Sequence, residues 1–118
     1  MNVEEFVQYC QQKKGVTDGF PFGGDTLVFK VINKIFALSG IDTLPFKVNL
    51  KCDPEWALDL RETYEDVAPG YHMNKKHWNT VTMEGALDEA LIAKMIDHSY
   101  DLIASSLPKK DKEILQSL

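Results

Sequence analysis

The chain has 118 residues, of which 44% are hydrophobic and 26% charged, and its formal net charge is −5. This composition is typical of a soluble globular protein, and the length fits one domain, which we expect to span residues 1–118. The acidic balance argues against a protein that coats nucleic acid through bulk charge, but it leaves room for a local basic patch.

Nothing in the sequence indicates membrane insertion or export. No apolar stretch approaches the roughly 20 residues of a membrane-spanning helix, and Met1–Glu5 lacks the basic start and apolar run of a signal peptide. The two cysteines, Cys10 and Cys52, do not have the spacing of a metal site or a redox pair, so reduced thiols are expected. We therefore expect a cytoplasmic protein without a membrane partner.

The first half of the chain predicts one helix, a loop and three strands. Asn2 and Glu5 have the spacing of a capping box at the start of the helix. Residues 16–24 are predicted to be a loop anchored by Phe20 and Phe22. Alternation of apolar and polar side chains predicts strands at 25–31, 35–38 and 46–52, with a tight turn at Asn33-Lys34.

The second half predicts two main helices separated by a hairpin. Asp53-Pro54-Glu55 begins the first of them, because Asp is a good N-cap and Pro is favoured in the first turn, and we expect it to end near Tyr64. Apolar residues at helical spacing predict a long helix over roughly 87–105. Pro108 ends that helix, and residues 108–118 are predicted to be a short helical extension.

The stretch between these helices is the densest in groups that could contact a partner. Residues 70–81 contain two histidines, two lysines, two asparagines, a tyrosine and a tryptophan. Their middle, 73–77, is typical of a turn, and the flanks 71–73 and 78–83 are rich in the aromatic and β-branched residues of strands. The stretch therefore predicts a β-hairpin with a basic tip.

The predicted elements indicate an α+β fold. Short links between strands imply a mainly antiparallel sheet of five strands, with the helices packed on one face in a two-layer α/β sandwich. The other face would be open to solvent, with the acidic residues concentrated on the helices. The side chains expected on the open face are Lys30, Lys47, Asn49, Lys51, Trp78, Thr80 and Thr82, with Lys75, Lys76 and His77 at its rim.

Several segments together resemble the MmcQ/YjbR family. The resemblance rests on residues 48–55 and 69–81, and also on 20–22, 26–31, 98–102 and 107–109. It implies a CyaY-like or secretion-chaperone-like fold in the order α-β3-α-β2-α, in agreement with the predicted elements. It also implies a small bacterial protein of a family described as predicted DNA-binding proteins with a double-wing motif, and it carries over no catalytic residues.

Binding of DNA is the first functional hypothesis. Lysines could neutralise phosphates, asparagines could bond to phosphates or base edges, and Trp78 could stack on an exposed base. The alternative from the residues alone is a solvated charged turn in which Trp78 is a structural anchor. The candidate nucleic-acid-binding residues are Lys47, Asn49, Lys51, His72, Asn74, Lys75, Lys76, His77, Trp78 and Asn79.

A protein-interaction module is the second hypothesis. Tyr71, Met73 and Trp78 would then be the apolar anchors of a site for a peptide or protein partner. In either case we expect a monomer that binds without catalysis and without a cofactor.

A metal site or enzyme is the third hypothesis, and it has the least support. His72 and His77 lie in one turn, and His98, Cys52 or Asp53 could join them, but zinc requires three or four convergent ligands. His98 falls in an apolar helical row, where a hydrogen-bonded core histidine is expected. The sequence contains no phosphate-binding glycine loop and no nucleophile elbow.

Overall fold

Four helices and six strands make up the computed structural model, which describes all residues from 1 to 118. In chain order they are α1 (Val3–Gln11), β1 (Val16–Gly19), β2 (Thr26–Val31), β3 (Lys34–Gly40), β4 (Lys47–Lys51), α2 (Pro54–Thr63), β5 (Val67–Pro69), β6 (Trp78–Thr82), α3 (Glu89–Ser105) and α4 (Lys109–Gln116). The predicted α+β class is confirmed. No helix is long and apolar enough to cross a membrane.

All strands belong to one antiparallel sheet with the order β1-β2-β3-β4-β6-β5. Because β6 lies between β4 and β5, the chain leaves the sheet after β4, forms α2, and returns at the far edge. The hairpin of β5 and β6 then brings β6 back alongside β4. This topology places the candidate binding strands β4 and β6 next to each other.

The core lies between the sheet and the helices. One cluster of 20 buried residues combines alternate side chains of the strands with side chains of α1, α2 and α3. At its centre the ring of Phe6 from α1 meets Phe29 and Phe46 edge-on, with ring centroids 5.3 and 5.8 Å apart. The helices therefore cover one face of the sheet.

The prediction of five strands was wrong, because β1 lies in the segment predicted to be a loop. Val16 pairs with Val31 and Gly19 with Val28, which adds a sixth strand at the edge of the sheet. The segment contains Asp18 and Gly19, residue types that strands disfavour, so its pairing depends on the neighbouring β2 and not on its own propensity. The order is thus α-β4-α-β2-α-α.

The loop that follows β1 also differs from the prediction. Phe20 and Phe22 were expected to anchor it, but they are 47% and 67% exposed. The turn between β2 and β3 is Ile32-Asn33, one residue earlier than predicted, and Ile32 has a φ of 57°.

The first strand of the hairpin was placed too late in the chain. β5 is Val67–Pro69, whereas residues 71–73 belong to the connection. The backbone N–H of Gly70 donates to the carbonyl of Trp78 at 2.8 Å and so ends the ladder before Tyr71. The strand-like residues Tyr71 and Met73 are therefore loop residues.

His98 joins α3 to the start of α2. Its Nε2 accepts a hydrogen bond of 3.0 Å from the backbone N–H of Asp53, the residue that caps α2. Its ring lies edge-on to Trp56, with centroids 4.7 Å apart. Burial lowers the pKa of His98 below its usual 6.5, which favours the neutral ring that can accept this bond. The predicted hydrogen-bonded role of His98 is thus what the structure shows.

We predict that His98 makes the stability depend on pH. Since folding lowers the pKa of His98, its contribution is complete above the unfolded value of about 6.5 and is lost as the pH falls through the folded value. In His98→Gln, an amide oxygen can accept the same bond without titrating. The urea midpoint of the wild type should therefore fall more between pH about 7.5 and about 5.5 than that of the variant.

The hydrogen bond itself is worth about 1 kcal/mol, so the difference should be small but measurable. His72→Gln is the matched control, because His72 is exposed. A midpoint that depends equally on pH in the wild type and in His98→Gln would contradict this role.

Candidate functional site

The side chains on the uncovered face of β4 and β6 form the floor of the candidate site. Cross-strand pairing sets Lys47 opposite Thr82, Asn49 opposite Thr80 and Lys51 opposite Trp78. These six residues are called the open face below. Since alternate residues of a strand point to opposite faces, the intervening Val48, Leu50 and Val81 lie in the core.

Residues 70–77, called the β5–β6 loop below, fold back over the open face. The Tyr71 backbone N–H donates to Thr80 Oγ1 at 2.9 Å, and Asn49 Nδ2 donates to the Tyr71 carbonyl at 3.3 Å. Thr80 Oγ1 in turn donates to Asn49 Oδ1 at 2.5 Å. Asn49 and Thr80, two open-face residues, thus fix the position of Tyr71.

At the base of this loop, Gly70 lies very close to Trp78. A Cβ on Gly70 would come within 2.8 Å of the Trp78 Cβ and 2.9 Å of the Trp78 carbonyl oxygen. Glycine is therefore required where the loop leaves β5. Further along, His72 adopts a φ of 59°, which is uncommon for a residue with a side chain, and its ring lies 4.0 Å from that of Tyr71.

A groove of about 960 Å³ lies between the open face, the β5–β6 loop and the segments near Phe22 and Thr43. The apolar part of its lining includes Ile35 and Leu38 of β3, together with Met73 and the rings of Phe22, Tyr71 and Trp78. Eight residues with polar side chains also line it: Asp25, Thr26, Ser39, Thr43, Lys47, Asn49, His72 and Thr80. A concave site that combines apolar rings with polar groups is typical of ligand sites, which range up to about 1,000 Å³.

Four lysines lie on the open face and on the β5–β6 loop. Of these, Lys47 lines the groove, and Lys51 stands at the other end of β4, opposite Trp78. Lys47 on the open face is exposed, Lys51 is half-buried, and Lys75 and Lys76 are exposed on the β5–β6 loop. The only carboxylate that lines the groove is that of Asp25, near Phe22 and Thr43. The acidic residues of α2 and α3 belong to helices that pack on the other face of the sheet.

Arg61 of α2 holds the loop from the helical side. Its Nε donates to Asn79 Oδ1 at 2.7 Å, and its Nη2 donates to the carbonyls of Lys75 and of Trp78, the latter at 3.2 Å. A planar guanidinium can make these bonds at fixed angles, which a lysine cannot. Sequence reasoning missed Arg61, because an arginine near the end of a helix gives no signal of what it will contact.

Asn79 was expected on the binding surface, but that placement was wrong. The residue is 2% exposed and points to the helical side, as the alternation of β6 requires when Trp78 and Thr80 point to the open face. Its Oδ1 accepts from Arg61, and its Nδ2 has no hydrogen-bond partner. Asn79 thus supports the loop from beneath and does not reach the groove.

The other candidate residues lie on or near the open face. Asn74 is exposed, and its Oδ1 accepts from the backbone N–H of Lys76 at 3.0 Å, which stabilises the turn. His77 is half-buried, and its carbonyl accepts from the Cys52 N–H at 2.8 Å. His72 is exposed beside Tyr71. Of the ten candidates, four line the groove: Lys47, Asn49, His72 and Trp78. Lys51 is paired with Trp78, and the other loop candidates are Asn74, Lys75, Lys76 and His77, whereas Asn79 is buried.

No group of three or more His, Cys, Asp or Glu side chains is arranged to hold a metal ion. His72, His77, His98, Cys52 and Asp53 therefore do not form the convergent set that the third hypothesis required. Both cysteines are free and buried, and burial raises the pKa of Cys10 and of Cys52 to about 12. Their thiols are accordingly protonated at neutral pH and poor nucleophiles.

Comparison with known proteins assigns the chain to a family. The family model YjbR matches residues 11–102. The chain belongs to the YjbR family. It is 34% identical over 119 aligned positions to the uncharacterized protein YjbR of Escherichia coli strain K12, with all of both chains covered. It is 42% identical to the uncharacterized protein YbdF of Escherichia coli O157:H7 over 92% of this chain and 81% of YbdF.

Solved structures of relatives have the same fold. A crystal structure from Deinococcus radiodurans, of a protein with the family domain DUF419, has a TM-score of 0.90 and 36% identity over 98% of this chain and 88% of that one. A crystal structure from Pseudomonas syringae has a TM-score of 0.76 and 32% identity over 87% of this chain and 99% of that one.

We predict that Arg61→Ala loosens the β5–β6 loop. The change removes the hydrogen bonds to the carbonyls of Lys75 and Trp78 and leaves Asn79 Oδ1 buried without its donor, so the free energy of unfolding should fall by about 1–3 kcal/mol. Trypsin should also cleave after Lys75 or Lys76 faster than in the wild type, since the carbonyl of Lys75 is released. Urea unfolding and mass spectrometry of the first tryptic fragments measure the two effects.

Arg61→Lys is the matched variant, because it keeps the charge but not the fork of donors. It should resemble Arg61→Ala more than the wild type. Wild-type stability and cleavage in both variants would show that Arg61 does not hold the loop.

Proposed function

We propose that this protein binds DNA without catalysis, using the open face and the β5–β6 loop. The observation that carries the proposal is the position of four lysines. Lys47 and Lys51 project from β4 on the same face as Trp78, and Lys75 and Lys76 are exposed on the loop that borders it. The acidic side chains of α2 and α3 belong to helices on the opposite face of the sheet, and Asp25 is the only carboxylate that lines the groove.

Contacts to phosphate would provide most of the affinity. Each lysine that neutralises a phosphate releases a counterion, so the binding constant should fall steeply with salt. Asn49 and Thr80 are occupied by bonds to each other and to Tyr71, and the Arg61 guanidinium is directed to loop carbonyls and Asn79. Lys47, Lys51 and Lys76 are therefore the principal groups left for phosphates, and Lys75 can join them by releasing the 3.4 Å bond from its Nζ to the Gly70 carbonyl. The net charge of −5 opposes DNA binding by the rest of the surface. Affinity for DNA should therefore depend on the lysines of the open face and the β5–β6 loop.

Fluorescence anisotropy with labelled DNA at several salt concentrations tests the proposal, with Lys75→Ala/Lys76→Ala as the variant. We expect a several-fold loss of affinity, and a slope of log K against log salt that is shallower by about 2, because two phosphate contacts are lost. Both residues are exposed, so the fold should be unchanged.

Lys109→Ala/Lys110→Ala is the matched control. It removes the same charge from exposed positions on α4, outside the open face, and should bind almost as the wild type does. An equal loss in both double variants would show a response to net charge alone. No binding by the wild type at low salt would overturn the proposal.

A protein or peptide ligand is the second candidate, and the apolar lining of the groove favours it. Ile35, Leu38 and Met73 line the groove and would be suited to aliphatic side chains of a partner. A partner that co-purifies after nuclease treatment, and is lost from Met73→Ser but retained by Lys75→Ala/Lys76→Ala, would support this candidate over DNA.

A further inference from the structure

Three aromatic rings of the groove have no role in the core. Tyr71 is 69% exposed, Phe22 is 67% exposed, and Trp78 is half-buried on the open face. None of the three belongs to the buried cluster or to the partly buried residues packed against it, whereas Trp56 and Tyr100 do. Large apolar rings left around a groove are a recurrent feature of binding sites.

The loop holds Tyr71 in a fixed position before any ligand arrives. Hydrogen bonds on both sides of the Tyr71 peptide connect it to Thr80 and Asn49, and Arg61 fixes the other end of the loop through the Lys75 carbonyl. The left-handed backbone of His72 is the kind of local strain that binding loops retain. A ring on a rigid backbone loses little entropy when a ligand stacks on it.

The groove thus offers two kinds of contact, stacking on aromatic rings and ion pairing with lysines, and nucleic acids can make both. Aromatic faces bind flat π-systems. Lys47 lines the groove, Lys51 lies opposite Trp78, and Lys75 and Lys76 are exposed on the β5–β6 loop, so these lysines are the candidate partners of phosphates. In a duplex the base faces are stacked on one another and are not available to Tyr71 or Trp78. In a single strand the bases can turn into an apolar groove while the backbone follows the lysines.

We infer that the groove binds single-stranded DNA, with unpaired bases stacked on Tyr71 and Trp78 and the sugar-phosphate backbone along the lysines. This inference rests on the proposed function and specifies its ligand. Lys47 in the lining and Lys51 opposite Trp78 place positive charge beside the aromatic rings, which complements a polyanion with flat bases better than an apolar peptide.

The two tryptophans of the chain allow a direct measurement of stacking. Trp56 of α2 packs against His98 of α3, and Trp78 lines the groove, so Trp56→Phe leaves Trp78 as the single reporter. A dT oligomer of about 12 nucleotides should quench its fluorescence, whereas a hairpin duplex with the same number of phosphates should not. Anisotropy with the unmodified protein should show single-strand affinity at least about tenfold above that for the duplex.

Tyr71→Ala tests the contribution of the exposed ring. Loss of one stacked base predicts single-strand binding weaker by about fivefold to 100-fold, with duplex binding unchanged. Tyr64→Ala is the matched control, since Tyr64 is also partly exposed, at 37%, but follows α2 on the other side of the sheet. It should bind the dT oligomer as the wild type does.

The results separate the two proposals. One pattern of results would overturn the single-strand inference and leave the proposed function standing. In that pattern the protein binds duplex in a salt-dependent way, Trp78 is not quenched, the dT oligomer is not preferred, and Tyr71→Ala has no effect. Binding of neither DNA at low salt would overturn both. Equal competition by inorganic polyphosphate would also overturn the inference, because it would show that phosphate contacts alone account for binding.

Discussion

The antiparallel pairing of β4 with β6 is the interaction on which the rest of the site depends. It joins two strands that are separated in sequence by α2, β5 and the β5–β6 loop. Alternation then assigns every side chain of these strands to one of two environments. Val48, Leu50 and Val81 complete the core under the helices, and the residues between them form the open face. A shift of the pairing by one residue would exchange the two sets, so the fold and the site are determined by the same register.

The β5–β6 loop converts this flat surface into a groove, and it is held from both sides of the sheet. On the open side, Asn49 and Thr80 bond to the Tyr71 backbone. On the helical side, Arg61 bonds to loop carbonyls and to Asn79, which is buried. Asn49, Thr80 and Arg61 thereby position the backbone that carries Tyr71 and the loop lysines. This division explains why the basic and aromatic side chains of the loop can stay exposed while its backbone stays in place.

Much of this architecture could be predicted from the sequence, because β4 and α2 follow from the pattern of their own residues. The alternation of 46–52 predicted β4 and both of its faces, and the Asp-Pro start predicted α2. β1 was missed because a short edge strand with Asp and Gly gains its stability from the neighbouring strand. The start of the loop was misplaced because Tyr71 and Met73 have strand-like side chains, and a distant contact, Gly70 to Trp78, decides where the ladder ends. The role of Arg61 depends wholly on tertiary contacts and has no sequence signature.

The most direct test of the open face as the binding surface is an NMR titration of ¹⁵N-labelled protein with a short DNA oligomer at low salt. We predict that the largest changes in amide chemical shift occur in β4, in β6 and in the β5–β6 loop, and that the amides of α3 and α4 are nearly unchanged. Changes concentrated on α3 or α4, or none at a large excess of DNA, would contradict it.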